Sequence, residues 1–244
     1  MELELNFKEF LNEARRGPVP GAFGKQGRNR PRYNVTTQPL DDAGAYQVRI
    51  SAGKNIEQQI REKLKEFNIL TTPASSHQDK NLGIDAFITS TDGGTTKTSI
   101  PIQIKARKNA SGNDILWEAV KPWNDNIVSS FEELGDRVFT GKDMKSKAKY
   151  LVSMSNDGNT IRLRSVEETI QMAKKMVEEF IHNYRATGRK VANTQYGQIR
   201  LVKDPSQEAN YNLRGDVFKL NCFISPDVYS HKKDLTLQTP IGAV

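Results

Sequence analysis

Two runs of alternating residues bracket the tripeptide Asp92-Gly93-Gly94. In the first, Ile84, Ala86 and Ile88 alternate with Asp85, Phe87 and Thr89. In the second, from Ser99 to Arg107, Ile100, Ile102 and Ile104 alternate with Gln103, Lys105 and Arg107. Successive side chains on a strand point to opposite faces, so each run has one apolar face. Asp-Gly-Gly between them is a hairpin turn signal. The pair predicts a β-hairpin that lays its isoleucines on a core and keeps Gln103 and Lys105 together on the opposite face.

The segments around this hairpin supply helices and further strands. Leu3 to Arg16 reads as a short helix and Ala45 to Ile50 as a short strand. A helix starting near Asn55 carries Ile56, Ile60, Leu64 and Phe67 down one stripe, and Ile69 to Thr72 suits a strand. Pro73 to Gly83 reads as a loop. After the hairpin comes a less regular region with Trp117 and Trp123, a helix around Ile127 to Leu134, and a strand from Lys149 to Ser155. Ser165 to Arg185 is the clearest helix: Ser165 and Glu168 form a capping box, Gly188 follows its end, and Val166, Ile170, Ala173, Val177, Phe180, Ile181 and Tyr184 make its apolar stripe. Strands at Gln198 to Val202 and Val217 to Ile224 follow. The expected class is α/β, a mixed sheet flanked by helices. The expected division is an N-terminal helix and basic arm over 1–44, a core over 45–226, and a tail over 227–244. No internal repeat is present.

The chain has 244 residues, 36% hydrophobic and 27% charged, so it can build a core under a very polar surface. No apolar stretch is long enough to span a bilayer, and the acidic start, Met1-Glu2-Leu3-Glu4-Leu5, is unlike a signal peptide. A single cysteine, Cys222, excludes an internal disulfide and a cysteine-rich zinc site; it reads as a small apolar residue in a strand. A cytoplasmic protein without membrane association is expected. The net charge of +7 favours polyanionic partners. Between Ala14 and Leu40 there is no acidic residue, while Arg15, Arg16, Lys25, Arg28, Arg30 and Arg32 fall there among prolines and glycines. This arm suits a phosphate backbone, and equally a solvated linker. Lys142, Lys145, Lys147 and Lys149 form a second basic cluster, read first as a solvated face.

Asp85, Gln103 and Lys105 are the residues in this pattern that carry chemistry. Adjacent strands lie about 4.8 Å apart, so the three groups can converge. A carboxylate and an amide oxygen suit a hard cation such as Mg²⁺ or Mn²⁺. A lysine beside the metal can orient a water and stabilise charge on a phosphate. Glu57, next to the stripe of the preceding helix, can add a carboxylate. Arg107 and Lys108 prolong the strand and could hold phosphates, or simply end it in solvent. His77 reads as a surface residue, and the two tryptophans as packing rather than base stacking.

A helix bearing Glu57, the strand entry Gly83-Ile84-Asp85, and Gln103-Ile104-Lys105 on the next strand together resemble the PD-(D/E)XK nuclease superfamily. The likeness covers about a fifth of the chain. Thr72-Pro73-Ala74-Ser75-Ser76 is similar to the loop that archaeal Holliday-junction resolvases carry before the aspartate. Gln in place of the usual Glu is a departure shared with the endonuclease subunit of Tn7-type transposases, and it removes one negative charge. The resemblance implies a restriction-endonuclease-like core and a metal-dependent DNA endonuclease. It implies Asp85, Gln103, Glu57 and the Ile104 carbonyl as ligands of Mg²⁺ or Mn²⁺, with Lys105 as a further catalytic group that positions the attacking water. Arg28, Arg30, Arg32, Arg107 and Lys108 would contact DNA, and a homodimer would supply two centres. The alternative is a catalytically inactive nuclease-fold protein used for nucleic-acid binding, assembly or inhibition.

Overall fold

The computed structural model describes residues 43–91, 97–105, 114–123, 131–132, 135–203 and 218–236. The expected helix over 3–16, the arm with Arg28, Arg30 and Arg32, the Asp92-Gly93-Gly94 turn, Arg107, Lys108 and most of 127–134 lie outside these residues, as does the side chain of Trp123. The fold is mixed α/β. Helix α1 (Ala43–Glu66) leads into β1 (Leu70–Pro73), a short helix α2 (Ser76–Leu82), β2 (Ala86–Thr91) and β3 (Lys97–Lys105). Then come β4 (Ile115–Trp123), two 3-10 turns (Gly135–Val138 and Asp143–Lys145), β5 (Tyr150–Met154) and β6 (Thr160–Ser165). Helix α3 (Val166–Thr187), β7 (Val191–Thr194), β8 (Gly197–Lys203), β9 (Phe218–Ile224) and β10 (Lys232–Thr236) complete it.

Among the described residues, ten strands form two sheets. The larger has the order β1-β2-β3-β5-β6-β10, the smaller β4-β9-β8-β7. The hairpin is present in the register that alternation predicts, with Ala86 opposite Ile102 and Ile88 opposite Ile100. β3 and β5 run parallel, whereas the other described pairs are antiparallel. A parallel pair needs a long crossover. Here the crossover contains β4 and the second 3-10 turn, so it sends one strand to the other sheet before returning.

The larger sheet has a different core on each face. On one, Ile60, Leu64 and Phe67 of α1 pack with Ala86, Ile88, Ile100, Ile102, Ile104, Val152 and Leu163. Each of the larger side chains among them contributes about 1.5–3 kcal/mol by leaving water. On the other, Ile84 and Leu151 join α3 and the smaller sheet. Ser165 caps α3 by accepting the Glu168 N–H at 3.2 Å, and Gly188 ends it in the left-handed conformation. The reciprocal half of the expected capping box is absent, because the Glu168 carboxylate accepts from Ser230 N and Oγ instead.

Several sequence expectations are corrected. Ala45 to Ile50 is part of α1, not a strand, and α1 begins at Ala43 rather than near Asn55. A run this short cannot distinguish the two periods, and helical continuity with the Ile56–Phe67 stripe decides it. The expected loop 73–83 contains α2, with a capping box between Ser75 and Gln78. The expected irregular region is strand β4 around Trp117. Within the expected tail, Lys232–Thr236 form the edge strand β10. No helix among the described residues is long and apolar enough to cross a membrane.

Candidate active site

Asp85 stands immediately before β2, where α2 delivers the chain. Gly83 ends that helix at φ +59°, and a Cβ there would also crowd Ser146 at 3.2 Å. Asp85 N donates to Ile102 O (2.9 Å), holding the backbone against β3. The side chain then takes the next ladder position: Oδ2 accepts the Ile104 N–H at 2.6 Å. The N–H and C=O of a strand residue point to the same edge. The Ile104 carbonyl therefore lies on the edge that Asp85 occupies.

Gln103 and Lys105 share the opposite face of β3 from the α1 core, as alternation requires. Both point at a residue that sequence reading did not single out, Asp143. Its Oδ1 accepts from Gln103 Nε2 at 2.8 Å and from Lys105 Nζ at 2.5 Å, and its Oδ2 accepts the Glu118 N–H at 2.8 Å. Lys105 Nζ also lies 5.0 Å from the centre of the buried Trp117 ring. Asp143 is fully engaged and only 3% exposed, and Gln103 is 2% exposed. The crossover reaches this position because Gly141 lies hard against β4, where a Cβ would come within 2.0 Å of Glu118 O. Gly141 N donates to Ala119 O at 3.1 Å, and Ser146 Oγ donates to Gly83 O at 3.0 Å. The crossover is thus fastened to β4 and to the Asp85 approach on either side of Asp143.

Glu57 lies near the start of the described part of the α1 stripe, half-buried. Burial raises its pKa, and the negative charges of Asp85 and Asp79 raise it further, while Arg61 and Lys142 oppose. Asp85 is raised as well, chiefly by burial and less by Asp79, against the Ile104 hydrogen bond and the charges of Lys105 and Lys142. Glu57 therefore senses the Asp85 carboxylate, in a region where negative charge is poorly solvated. Lys142 faces solvent yet acts on both acids.

The remaining candidates separate cleanly. His77 is on exposed α2. Trp117 is wholly buried and donates Nε1 to Met144 Sδ, so it packs and is closed to bases. Cys222 is buried, and burial pushes its thiol up. Lys142, Lys145, Lys147 and Lys149 are exposed, alternating with buried Gly141, Asp143, Ser146, Ala148 and Tyr150. That alternation was the available signal for Asp143, masked by the lysines around it. Beside Lys105 on the same face lie Ser153 of β5 and Arg162 of β6, paired in register.

Among the described residues, no three His, Cys, Asp or Glu side chains converge on a common cation position. The donors that fit a hard cation here are of mixed kind: the Asp85 carboxylate, the Ile104 carbonyl, and Gln103 Oε1. That last atom is buried and has no hydrogen-bond partner. Oxygen donors of this sort suit Mg²⁺ or Mn²⁺. No protein-family model matches the chain, and no curated protein or solved structure is significantly similar to it.

Proposed function

We propose that the protein is a metal-dependent DNA endonuclease of PD-(D/E)XK type. The observation that carries this reading is the buried, unpartnered Gln103 Oε1 on the same strand as Lys105, next in sequence to Ile104, whose N–H Asp85 accepts. Asp85, Gln103 and the Ile104 carbonyl would hold Mg²⁺ or Mn²⁺, with Glu57 adding charge. The cation, when bound, would polarise the phosphate and acidify a water. Lys105 binds a non-bridging phosphate oxygen and stabilises the charge that develops on it. Asp143 and the Trp117 face hold that ammonium in place. Arg28, Arg30, Arg32, Arg107 and Lys108 would supply backbone affinity that weakens steeply with salt.

Cleavage of linear and branched duplex DNA with Mg²⁺ tests this, comparing wild type with Asp85→Ala and Lys105→Ala. Both variants should lose about 10²–10⁴-fold in rate, the range for removing a positioned catalytic group. Equal cleavage in all three would end this mechanism. One observation favours a second reading, in which the same fold binds nucleic acid without cutting it: Lys105 is already paired with Asp143 and Gln103 is almost wholly enclosed. Salt-sensitive DNA binding by wild type with no cleavage in Mg²⁺ or Mn²⁺ would establish that alternative. A homodimer belongs to the first reading, since cutting both strands calls for two centres.

A further inference from the structure

We infer that Asp143 is a positioning residue that fixes the Gln103 amide with its oxygen turned away as an acceptor and supplies, one bond removed, the negative charge the amide lacks. The inference rests on the proposal that this face holds a divalent cation. It starts from the two ends of one side chain. An amide has a donating and an accepting end, whereas a carboxylate only accepts. Gln103 meets Asp143 Oδ1 at 2.8 Å, so the end facing it must be the NH₂. Oε1 is thereby directed elsewhere, buried and without a partner.

Asp143 cannot turn to offer a different arrangement. Its other oxygen holds the Glu118 N–H, its first oxygen also holds Lys105, and Gly141 presses the turn onto β4. A buried polar atom left unpaired is a standing cost that native chains keep only when a water, an ion or a function answers it. Gln103 is the sequence neighbour of Ile104, whose N–H the Asp85 carboxylate accepts, so an oxygen-rich stretch of β3 adjoins the orphaned amide. Donation of the amide N–H to a carboxylate polarises the amide and strengthens Oε1 as a ligand. Residue 103 and residue 143 then act as one hydrogen-bonded unit, whose single negative charge also pairs the Lys105 ammonium. A glutamate at 103 would face Asp143 across the same short gap as a second carboxylate, so Asp143 explains why the neutral side chain stands at 103.

The unit predicts a reciprocal exchange. Gln103→Glu alone sets two carboxylates together. Asp143→Asn alone lets the amide turn and present its NH₂ to the cation. Made together, Q103E and D143N restore one donor facing one acceptor, with the charge now on residue 103. Mn²⁺ binding to the full-length protein is measured by calorimetry, beside thermal unfolding and DNA cleavage. Each single variant should bind Mn²⁺ about 10–100-fold more weakly, the usual effect of removing a partner that orients a metal ligand. The double variant should regain the wild-type affinity or exceed it. A purely structural role for Asp143 does not predict that rescue. Wild-type Mn²⁺ affinity in D143N, tighter binding in Q103E alone, or a folded double variant no better than the singles would each overturn the inference, as would a wild type that binds no Mn²⁺. Mn²⁺ binding with rescue but no DNA cleavage would leave the inference standing and remove the endonuclease reading. Cleavage by wild type, with both single variants binding and cutting as well as it does, would do the reverse.

Discussion

The two faces of the larger sheet are built from the same strands and reach opposite solutions. Towards α1, Ala86, Ile88, Ile100, Ile102, Ile104, Val152 and Leu163 are buried in a continuous apolar layer. On the other face, Gln103, Ser153, Arg162 and Arg164 each hold a buried side-chain atom without a partner. The first face is satisfied by apolar burial. The second is enclosed but incompletely paired, and the shortfall lies on the same face as Lys105 and Asp143. Both faces carry a core, but only the second combines it with polar side chains that are buried and incompletely paired.

The largest effect should come from the apolar face. Ile102 is fully buried at the centre of that layer, opposite Ala86. Ile102→Ala should cost about 2–5 kcal/mol by lost transfer energy and a residual cavity. Urea unfolding would measure it, with Mn²⁺ affinity near wild type wherever the protein remains folded. A loss below about 1 kcal/mol would mean that this layer relaxes freely and that the contrast between the faces is overdrawn. Gly141→Ala comes next. The added Cβ has no room against Glu118 O, so the crossover must shift by the amount that overpacked sites usually resist, about 1–3 kcal/mol. Because the shift carries Asp143 with it, this variant should lose stability and Mn²⁺ affinity together, unlike Ile102→Ala.

How legible the two faces were from sequence differs for the same physical reason. The apolar layer is written locally: alternation of Ala86 and Ile88 in β2 and of the isoleucines of β3, with the Ile60–Leu64–Phe67 spacing of α1, survives in the structure. So does α3, whose start and end are marked by Ser165 and Gly188. Ile84, expected on the same face as Ala86 and Ile88, instead precedes the strand and packs in the opposite core. Asp85, Gln103 and Lys105 were visible because they are the polar members of that alternation on one strand pair. Asp143 was not, because it reaches Gln103 from 40 positions away. Only the crossover, set by Gly141 and Ser146, brings it there. The edge strand β10 failed for another reason. Lys232-Lys233-Asp234-Leu235-Thr236 has one apolar residue, Leu235, and edge strands often carry charges that block further pairing.

Substitutions on the polar face should run in the opposite direction to those on the apolar one. Ser153 is 8% exposed and its Oγ has no partner. Ser153→Ala removes a buried polar atom without breaking a bond, so stability should stay level or rise by up to about 1 kcal/mol. Thermal unfolding reads this directly. A clear loss instead would show that the hydroxyl is satisfied in solution, and the face would then be less incomplete than it looks.

The smallest effect is a pH dependence that belongs to the polar face alone. Glu57 and Asp85 both have folded-state values raised above their ordinary 4.5 and 3.8. The folded chain therefore holds their protons more tightly than the unfolded chain does. Their contribution to stability is fully present below those ordinary values and is lost as pH rises through the raised ones. Solvent screening of half-exposed Glu57 keeps the effect modest. Asp85→Asn removes one of the two titrations, so the metal-free variant should gain on wild type as pH rises from about 4 towards neutrality. Mn²⁺ favours the ionised carboxylate and should cancel or reverse that gain for wild type only. Matched unfolding curves across this range, with and without Mn²⁺, measure the difference. A gap between the two proteins that is independent of both pH and Mn²⁺ would take Asp85 out of any cation site and leave the two faces differing only in packing.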